Sequence, residues 1–514
     1  MLHQGIRVLA PALLMLLHGG SSRAAEMLAV QRGAELQQAI DRARPGDTIT
    51  LDPGVIYSGN FLLPAKQGTQ PITIRTREAP GLPAPGVRVQ PAHAGRLAVI
   101  QSPNRQPALR TAPGASHWRL ELLEFRANQD GAGDIITLGD GGAAQRERAQ
   151  APSNLVIDRC YIRGDPAVGQ KRGIALNSGR TTISNSYIAD IKARGQDSQA
   201  IAGWNGPGPY TIENNYLEAA GDNFLLGGAD PAIQGLVTED VVFRRNHLSK
   251  PVVWREQRWT VKNLFELKNA RRVLVEGNLM EYSWADGQAG YAILLTPRNQ
   301  DGGAPWATVE DVTIRYNVIR HAGGGMQIIG SDTNHPSGPT RRITVSHNLF
   351  YGIDSTEWGG TGAFVLVGEG PLDVVIEHNT VHQTGNIIMA YGGTKAQPKV
   401  STGFQFRGNL VRHNQYGVHG SDRAVGEDSL RAYFPGGLFQ WNGIGGGDAR
   451  RYPPGNTFTS AEEFDAQFVD APAGDFRLQP GSRFRRAASD RKDLGADITL
   501  IAQAMGIRPG ARIP

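Results

Sequence analysis

A carboxylate, an amine and a guanidinium at Glu266, Lys268 and Arg298 are the side chains best spaced in this sequence for moving a proton. In the segment LFELKN, strand alternation turns Phe265 and Leu267 inward, so Glu266 and Lys268 project outward side by side. A second segment of the same pattern, YAILLT, runs into Pro297-Arg298. Stacked as parallel neighbours about 4.8 Å apart, the two segments bring Arg298 close to Lys268, within a register tolerance of about two residues. Two neighbouring cations depress a lysine pKa, which is expected to favour a neutral amine able to accept a proton. The alternative is a structural salt bridge of Lys268 with Glu266 or Asp286.

The elements that must position this group are written as a repeat. The stretches VIDRCYI, TISNSYI, TIENNYL, VFRRNHL, LVEGNLM, TIRYNVI, TVSHNLF, VIEHNTV and QFRGNLV place a small polar residue at Cys160, Ser186, Asn215, Asn246, Asn278, Asn317, Asn348, Asn379 and Asn409. The spacings run from 26 to 39 residues, the period of a solenoid. An asparagine once per turn can point inward at a bend and bond the next coil, forming a ladder along the axis. Each turn carries a second strand, as in GIALN, NFLLGG, YAILLT and GMQIIG. Two strands per turn, joined by glycine-rich bends without hairpin signals, imply parallel stacking and an all-β, right-handed parallel β-helix.

The ends of the chain fit this plan. Residues 1–24 read as a signal peptide: Arg7, an apolar run from Val8 to Leu17, then small residues to Ala24. A periplasmic or secreted protein is therefore expected, with no integral membrane segment after cleavage. The single cysteine, Cys160, excludes an internal disulfide. Residues 25–115 are expected to hold an N-terminal cap and the first coils, 116–425 the central helix and 426–514 a C-terminal coil and cap. The first cap is a short helix whose apolar stripe is Leu36, Ala39, Ile40 and Ala43, stopped by Pro45-Gly46-Asp47 before the strand TITL. The last segment, DFRLQPG through DLGADITLIAQAMGI, reads as a strand and a closing helix.

Insertions concentrate between Gly195 and Pro336 and contain Trp204, Trp254, Trp259, Trp284 and Trp306. Aromatic faces on loops above a rigid sheet suit a sugar-binding cleft, although aromatics also pin loops down. From Lys250 to Arg272 seven basic residues (Lys250, Arg255, Arg258, Lys262, Lys268, Arg271, Arg272) face two acidic ones, Glu256 and Glu266. With a net charge of +5 this points to an acidic polymer, and no nucleic-acid signature accompanies it. The expected substrate-binding residues are Trp204, Trp259, Trp284, Tyr291, Arg258, Lys262 and His335, with His321 a possible helper. Asp222, Asp230, Glu266 and Asp286 offer carboxylates for glycoside hydrolysis, without the clustered aspartates of a polygalacturonase. His347 and His378 occupy equivalent places on adjacent coils and read as stacked surface side chains lacking a third metal ligand.

Outward lysine on one coil and outward arginine on the next, in a signal-bearing β-helix with a capping helix, resembles the alginate and chondroitin lyases of polysaccharide lyase family six. The resemblance implies a lyase that cleaves a uronate-containing polysaccharide by β-elimination. Lys268 would be the base and Arg298 the group that helps protonate the leaving oxygen. It also implies calcium, held by Glu266 and Asn223 from the preceding coil. The lysine-to-arginine separation is longer than in that family, and only one of its two acidic ligands precedes the lysine. A non-catalytic glycan-binding or surface β-helix, or a glycoside hydrolase, are the alternatives, since the fold hosts all of them.

Overall fold

A computed structural model describes residues 1, 24–31, 35–508 and 512–513. The expected leader lies outside these residues save for its two ends. Three all-parallel sheets of 14, 14 and 12 strands run the length of the molecule, and each coil visits them in turn. In one such coil the strands are Ala270–Glu276 in the first sheet, Leu279–Ser283 in the second and Tyr291–Leu295 in the third. The protein is a parallel β-helix, with three strands per coil where two were expected.

The third strand was hidden inside the repeat motif. VIDRCYI is Ser153–Asp158 of the first sheet and Tyr161–Arg163 of the second, split by one left-handed residue and the ladder residue. Arg159, Asn185, Asn214, Arg245, Gly277, Tyr316, His347, His378 and Gly408 hold that position with φ between 50° and 66°. A left-handed L-residue costs about 1–2 kcal/mol, and the ladder beside it supplies the compensating hydrogen bonds. Each backbone N–H of the ladder donates to the side chain one coil on, from Cys160 N to Ser186 Oγ at 3.0 Å through Asn317 N to Asn348 Oδ1 at 3.0 Å. The ladder runs past Asn409 to Asn442 and Asn456, two rungs beyond the sequence reading.

Inward residues of all three sheets form one continuous core, which includes the packed rings of Phe224, Phe243 and Phe265 under the site coils. The N-terminal cap is the helix Leu36–Arg42, with Leu36, Ala39, Ile40 and Ala43 buried against the core before the strand Thr48–Leu51. At the far end the core is covered by the helix Glu427–Tyr433, through Leu430, Tyr433 and Phe434. The strand Asp475–Leu478 and helix Ile498–Ala504 form as expected, but they do not close the end. Phe468, Phe476, Phe484, Leu494 and Ile501 pack instead on Leu279, Val318, Leu349 and Leu410, outward residues of the second sheet. This C-terminal strap runs back along the flank from Gly408, which accepts from Gly495 N at 2.7 Å, to Arg245, which donates to Ala504 O at 3.1 Å.

Residues 77–97 strap the same sheet nearer the N-terminus, where Val89 and Leu97 pack on Leu122, Tyr161 and Ala189. Arg88 also donates to the Arg245 carbonyl, so the two straps meet there. The first sheet meanwhile carries ion pairs between coils, such as Glu310 with Arg341 and Arg342. With one sheet strapped and one laced with ion pairs, the third sheet is left to carry a groove.

His347 and His378 stack at 4.9 Å under the C-terminal strap, His378 buried and His347 half-buried, where surface residues were expected. Burial, reinforced by His378 and Lys492, pulls His347 down to about 4, while Asp497 and Glu377 act the other way. An unfolded chain binds this proton below pH 6.5 and the folded one only near 4, so stability is full above 6.5 and falls as pH drops towards 4. The melting temperature is expected to fall across that window and to fall less in His347→Leu, as followed by calorimetry against pH.

Candidate functional site

The site is built on the outer face of the third sheet. Phe265 and Leu267 of the strand Phe265–Leu267 are fully buried in the core, which turns Glu266 outward. By register Glu266 lies between Leu225 of the preceding coil and Leu294 of the next. Lys268 follows the strand, and the backbone N–H of Arg298 donates to the Lys268 carbonyl at 2.9 Å. Stacking therefore places the two cations on adjacent rungs. Gly227 makes room for Lys268: its φ is +93°, and a Cβ there would stand 2.8 Å from the lysine Cβ.

Glu266, Lys268 and Arg298 line one cavity of about 220 Å³, together with Gln288, Asp332 and Tyr391. Lys268 Nζ lies 3.2 Å from Glu266 Oε1, with the lysine side chain 17% exposed and the carboxylate 1%. Arg298 Nη1 lies 2.8 Å from the buried Asp332 Oδ1, and 23% of the arginine side chain stays exposed. Asp332 is fixed in turn by the Asn299 and Asn334 amides. A small molecule can reach both cations, while each keeps a carboxylate at its back.

The charge balance corrects one expectation. Burial alone would lower the Lys268 pKa, and Arg298 adds to that, but the carboxylates of Glu266 and Asp222 outweigh both and hold the ammonium above its ordinary value. Asp222 is itself raised by burial and by Glu266. The sequence reading counted the two cations, left the adjacent Glu266 out of the balance and missed the second carboxylate, Asp222, arriving from the coil before.

Asn223 is not available as a metal ligand. Its Oδ1 accepts from Lys250 Nζ at 2.9 Å, and its Nδ2 donates to the carbonyls of Leu217 and Ser249 inside the coil. The orphaned acceptors lie elsewhere: Asp222 Oδ1 and Asn263 Oδ1 are buried without a hydrogen-bond partner. Asn263 Nδ2 reaches Glu266 Oε2 at 3.3 Å and Gln288 Oε1 at 3.2 Å. No three His, Cys, Asp or Glu side chains among the described residues cluster as a metal site. Two carboxylates and an amide oxygen, two of the three groups holding unpaired atoms, nonetheless suit a hard, oxygen-seeking cation such as calcium.

The aromatic expectations divide. Trp259 and Trp284 are 3% and 5% exposed and belong to a buried cluster with Trp254, Trp358, Val261 and Ala220. The Arg194 guanidinium covers Trp259 at 3.7 Å, and Arg255 lies over Trp284. These tryptophans pin the loops and present no face to a sugar. Tyr291 is buried beneath the loop and bonded to Thr361 Oγ1 at 2.8 Å, so it is not a sugar contact either. Trp204 is half-buried, with its indole N–H on the Gly141 carbonyl and Arg172 stacked 4.8 Å away. Trp284→Ala is expected to cost about 3–5 kcal/mol of stability, the range for emptying a buried aromatic site, while leaving KM unchanged. Thermal unfolding and steady-state kinetics separate the two effects.

The basic stretch is dispersed as well. Arg271 and Arg272 pair with Glu239 on the first sheet, Lys262 pairs with Asp197 at 2.7 Å, and Lys250 is fully buried. Arg258 is exposed, and His335 packs in the loop beside Arg298, its Nδ1 3.1 Å from the Asn299 carbonyl. Of the other carboxylates, Asp230 accepts from three backbone amides between Gln300 and Gly303, and Asp286 accepts from Val261 N. That leaves Asp222 and Glu266, both 1% exposed, which do not flank an open cleft as glycoside hydrolysis requires.

No known protein family matches the chain by its sequence profile, and no curated protein matches it by sequence. Solved structures do match. The PL6 family alginate lyase AlyGC superposes with a TM-score of 0.55 at 14% identity, over 91% of this chain and 57% of that one. A point variant of the same enzyme gives 0.53 at 14% identity, over 95% and 59%. Pectate lyase Pel9A gives 0.40 at 13% identity, over 92% and 96%. The chain spans less than two thirds of the alginate lyase it matches. This chain is thus a parallel β-helix protein, distantly similar in architecture to the alginate lyases of polysaccharide lyase family six.

Proposed function

We propose that the protein is a lyase acting on a uronate-containing polysaccharide by β-elimination, and that Lys268 and Arg298 carry the reaction. The observation behind this reading is the shared cavity, in which an amine and a guanidinium on adjacent rungs are both reachable from solvent. Lys268 Nζ removes the proton beside the uronate carboxylate. The C–O bond to the neighbouring sugar breaks as the C=C bond forms, and the leaving oxygen, hydrogen-bonded by Arg298, takes a proton from solvent. The guanidinium remains charged throughout, as arginine does in proteins. Asp332 orients it from behind.

Asp222, Asn263 and Glu266 would hold a calcium ion, whose charge would neutralise the uronate carboxylate and so acidify the proton to be removed. With the Glu266 charge so engaged, burial and Arg298 are left to press Lys268 towards the neutral amine that a base must be. Tyr391 and Gln288 line the same cavity and offer a ring face and an amide to the sugar. The substrate is an acidic polysaccharide met outside the cytoplasm, in line with the leader expected at residues 1–24.

Incubation with a panel of acidic polysaccharides, followed by ultraviolet absorbance of the conjugated C=C bond, tests the reading. Rising absorbance on one of them supports it. Polymer binding with neither absorbance nor new reducing ends would assign the protein to the glycan-binding class.

A further inference from the structure

Lys250 is the one fully buried lysine among the described residues. It follows the strand His247–Ser249, and by register it lies one coil above Ala219. Its ammonium sits among five oxygens: the carbonyls of Ala219 at 2.9 Å, Ala220 at 3.1 Å, Gly221 at 2.6 Å and Asn263 at 3.0 Å, and Asn223 Oδ1 at 2.9 Å. A bare ammonium in a protein core is costly, and this cage compensates it. Three hydrogens cannot satisfy five acceptors singly, so some of these bonds are shared.

The place of these oxygens carries the inference. Four come from the corner 219–223 of one coil, and two of those, Gly221 O and Asn223 Oδ1, bracket Asp222. The fifth is the carbonyl of Asn263, on the next coil. Phe224 pairs with Phe265, so Asp222 and Asn263 are register neighbours. Asp222 and Asn263 each hold a buried oxygen without a partner. In the preceding coil the corner from Ala219 to Asp222 is short, whereas in this coil the segment between Lys250 and Leu264 is an insertion. Backbone bonds flank Asn263, from Lys262 N to the Ala220 carbonyl and from Phe224 N to the Leu264 carbonyl, both at 3.2 Å, and the lysine adds the bond to the Asn263 carbonyl itself from inside.

We propose that Lys250 is a positioning residue: its ammonium clamps the corner 219–223 to Asn263 and so sets Asp222 and Asn263 at the separation that, with Glu266, accepts a calcium ion. The inference rests on the reading of those three residues as the cation-holding group. Lys250 touches neither the ion nor the sugar and acts through the carbonyls and the Asn223 side chain that it ties together, with Asp222 near enough to feel its charge. Groups behind a metal's direct ligands typically change its affinity 10–100-fold when removed.

Calorimetric titration of the full chain with calcium alone tests the clamp. Lys250→Met, which keeps the length and loses the charge, is expected to bind calcium 10–100-fold more weakly than the unaltered protein at a temperature where both are folded. Lys250→Arg, which can still donate to the carbonyls, should fall between them and carries the test if the methionine variant fails to fold. Asn348→Ser, which weakens the ladder away from the site, should bind as the unaltered protein does. Lys250 variants binding within twofold of the unaltered protein would overturn the clamp alone. Absence of calcium binding in the unaltered protein, or binding that persists in Glu266→Gln, would remove the cation-holding group and the clamp with it.

Discussion

Lys268→Ala is expected to lower kcat by about 10³-fold, within the 10²–10⁴ range typical for losing a positioned acid or base, and to lower the melting temperature as well, because Glu266, 1% exposed, loses its cation. The side chain lies at the mouth of the cavity and its one carboxylate partner, Glu266, keeps Asn263 as a second contact. Truncation therefore removes the proton acceptor and leaves the Glu266 carboxylate with the Asn263 amide. Arg298→Ala should be comparably damaging to turnover and to stability, because the Asp332 side chain, 0% exposed, likewise loses its counter-ion. Lys268→Arg should not rescue the rate, since a guanidinium stays protonated. Steady-state rates beside calorimetric unfolding curves decide all three. A Lys268→Ala protein that retains full turnover would move the chemistry away from this cavity.

The largest effect on stability is expected at the middle of the ladder. Asn317 Oδ1 accepts from Asn278 N at 2.9 Å and from Asn278 Nδ2 at 2.8 Å, while its own Nδ2 reaches the carbonyls of Val275 and Arg315 and the Asn348 side chain. Asn317→Ala strands two or more of these groups away from water. At about 1–3 kcal/mol for each buried unsatisfied group, two such groups bring the loss to roughly 2–6 kcal/mol. Asn317→Ser should cost less, because Ser186 already fills this slot: its Oγ accepts from Cys160 N and donates to the Ser184 carbonyl. Denaturant unfolding of the two variants checks the order. Equal stability of the alanine variant and the parent would mean that the ladder contributes little.

The architecture was legible because a solenoid writes its geometry once per coil. Nine ladder positions were enough to predict parallel stacking, and stacking put Arg298 beside Lys268. The third sheet escaped notice because the left-handed residue and the ladder residue together preserve the apolar alternation across the bend, so two strands read as one. Asn456 escaped because only 14 residues separate it from Asn442, which breaks the period, whereas Asn442 lies 33 residues after Asn409, on the period, and was simply not recognised in LFQWNGI.

The site was legible only along the strand that carries it. Glu266 and Lys268 share one strand segment, but Asp222, Asn263 and Asp332 reach the same place from other coils and loops. The wrong sign for the Lys268 shift has two sources: Glu266, two residues away and the strongest raising influence, was left out of the balance, and Asp222, which adds to it, lies 46 residues away in sequence. Asn223 was chosen by proximity, and its inward direction at the corner was not readable from alternation. The tryptophans were misread because a buried aromatic cluster and a sugar platform use the same residues. Burial, which the composition does not encode, separates them.

The mass of the oligosaccharides released from an acidic polysaccharide is the most direct test of the chemistry assigned to the groove. Elimination at Lys268 and Arg298 predicts fragments one water lighter than hydrolysis would give, and none in Lys268→Ala. Fully hydrated fragments from the unaltered protein would contradict the assignment.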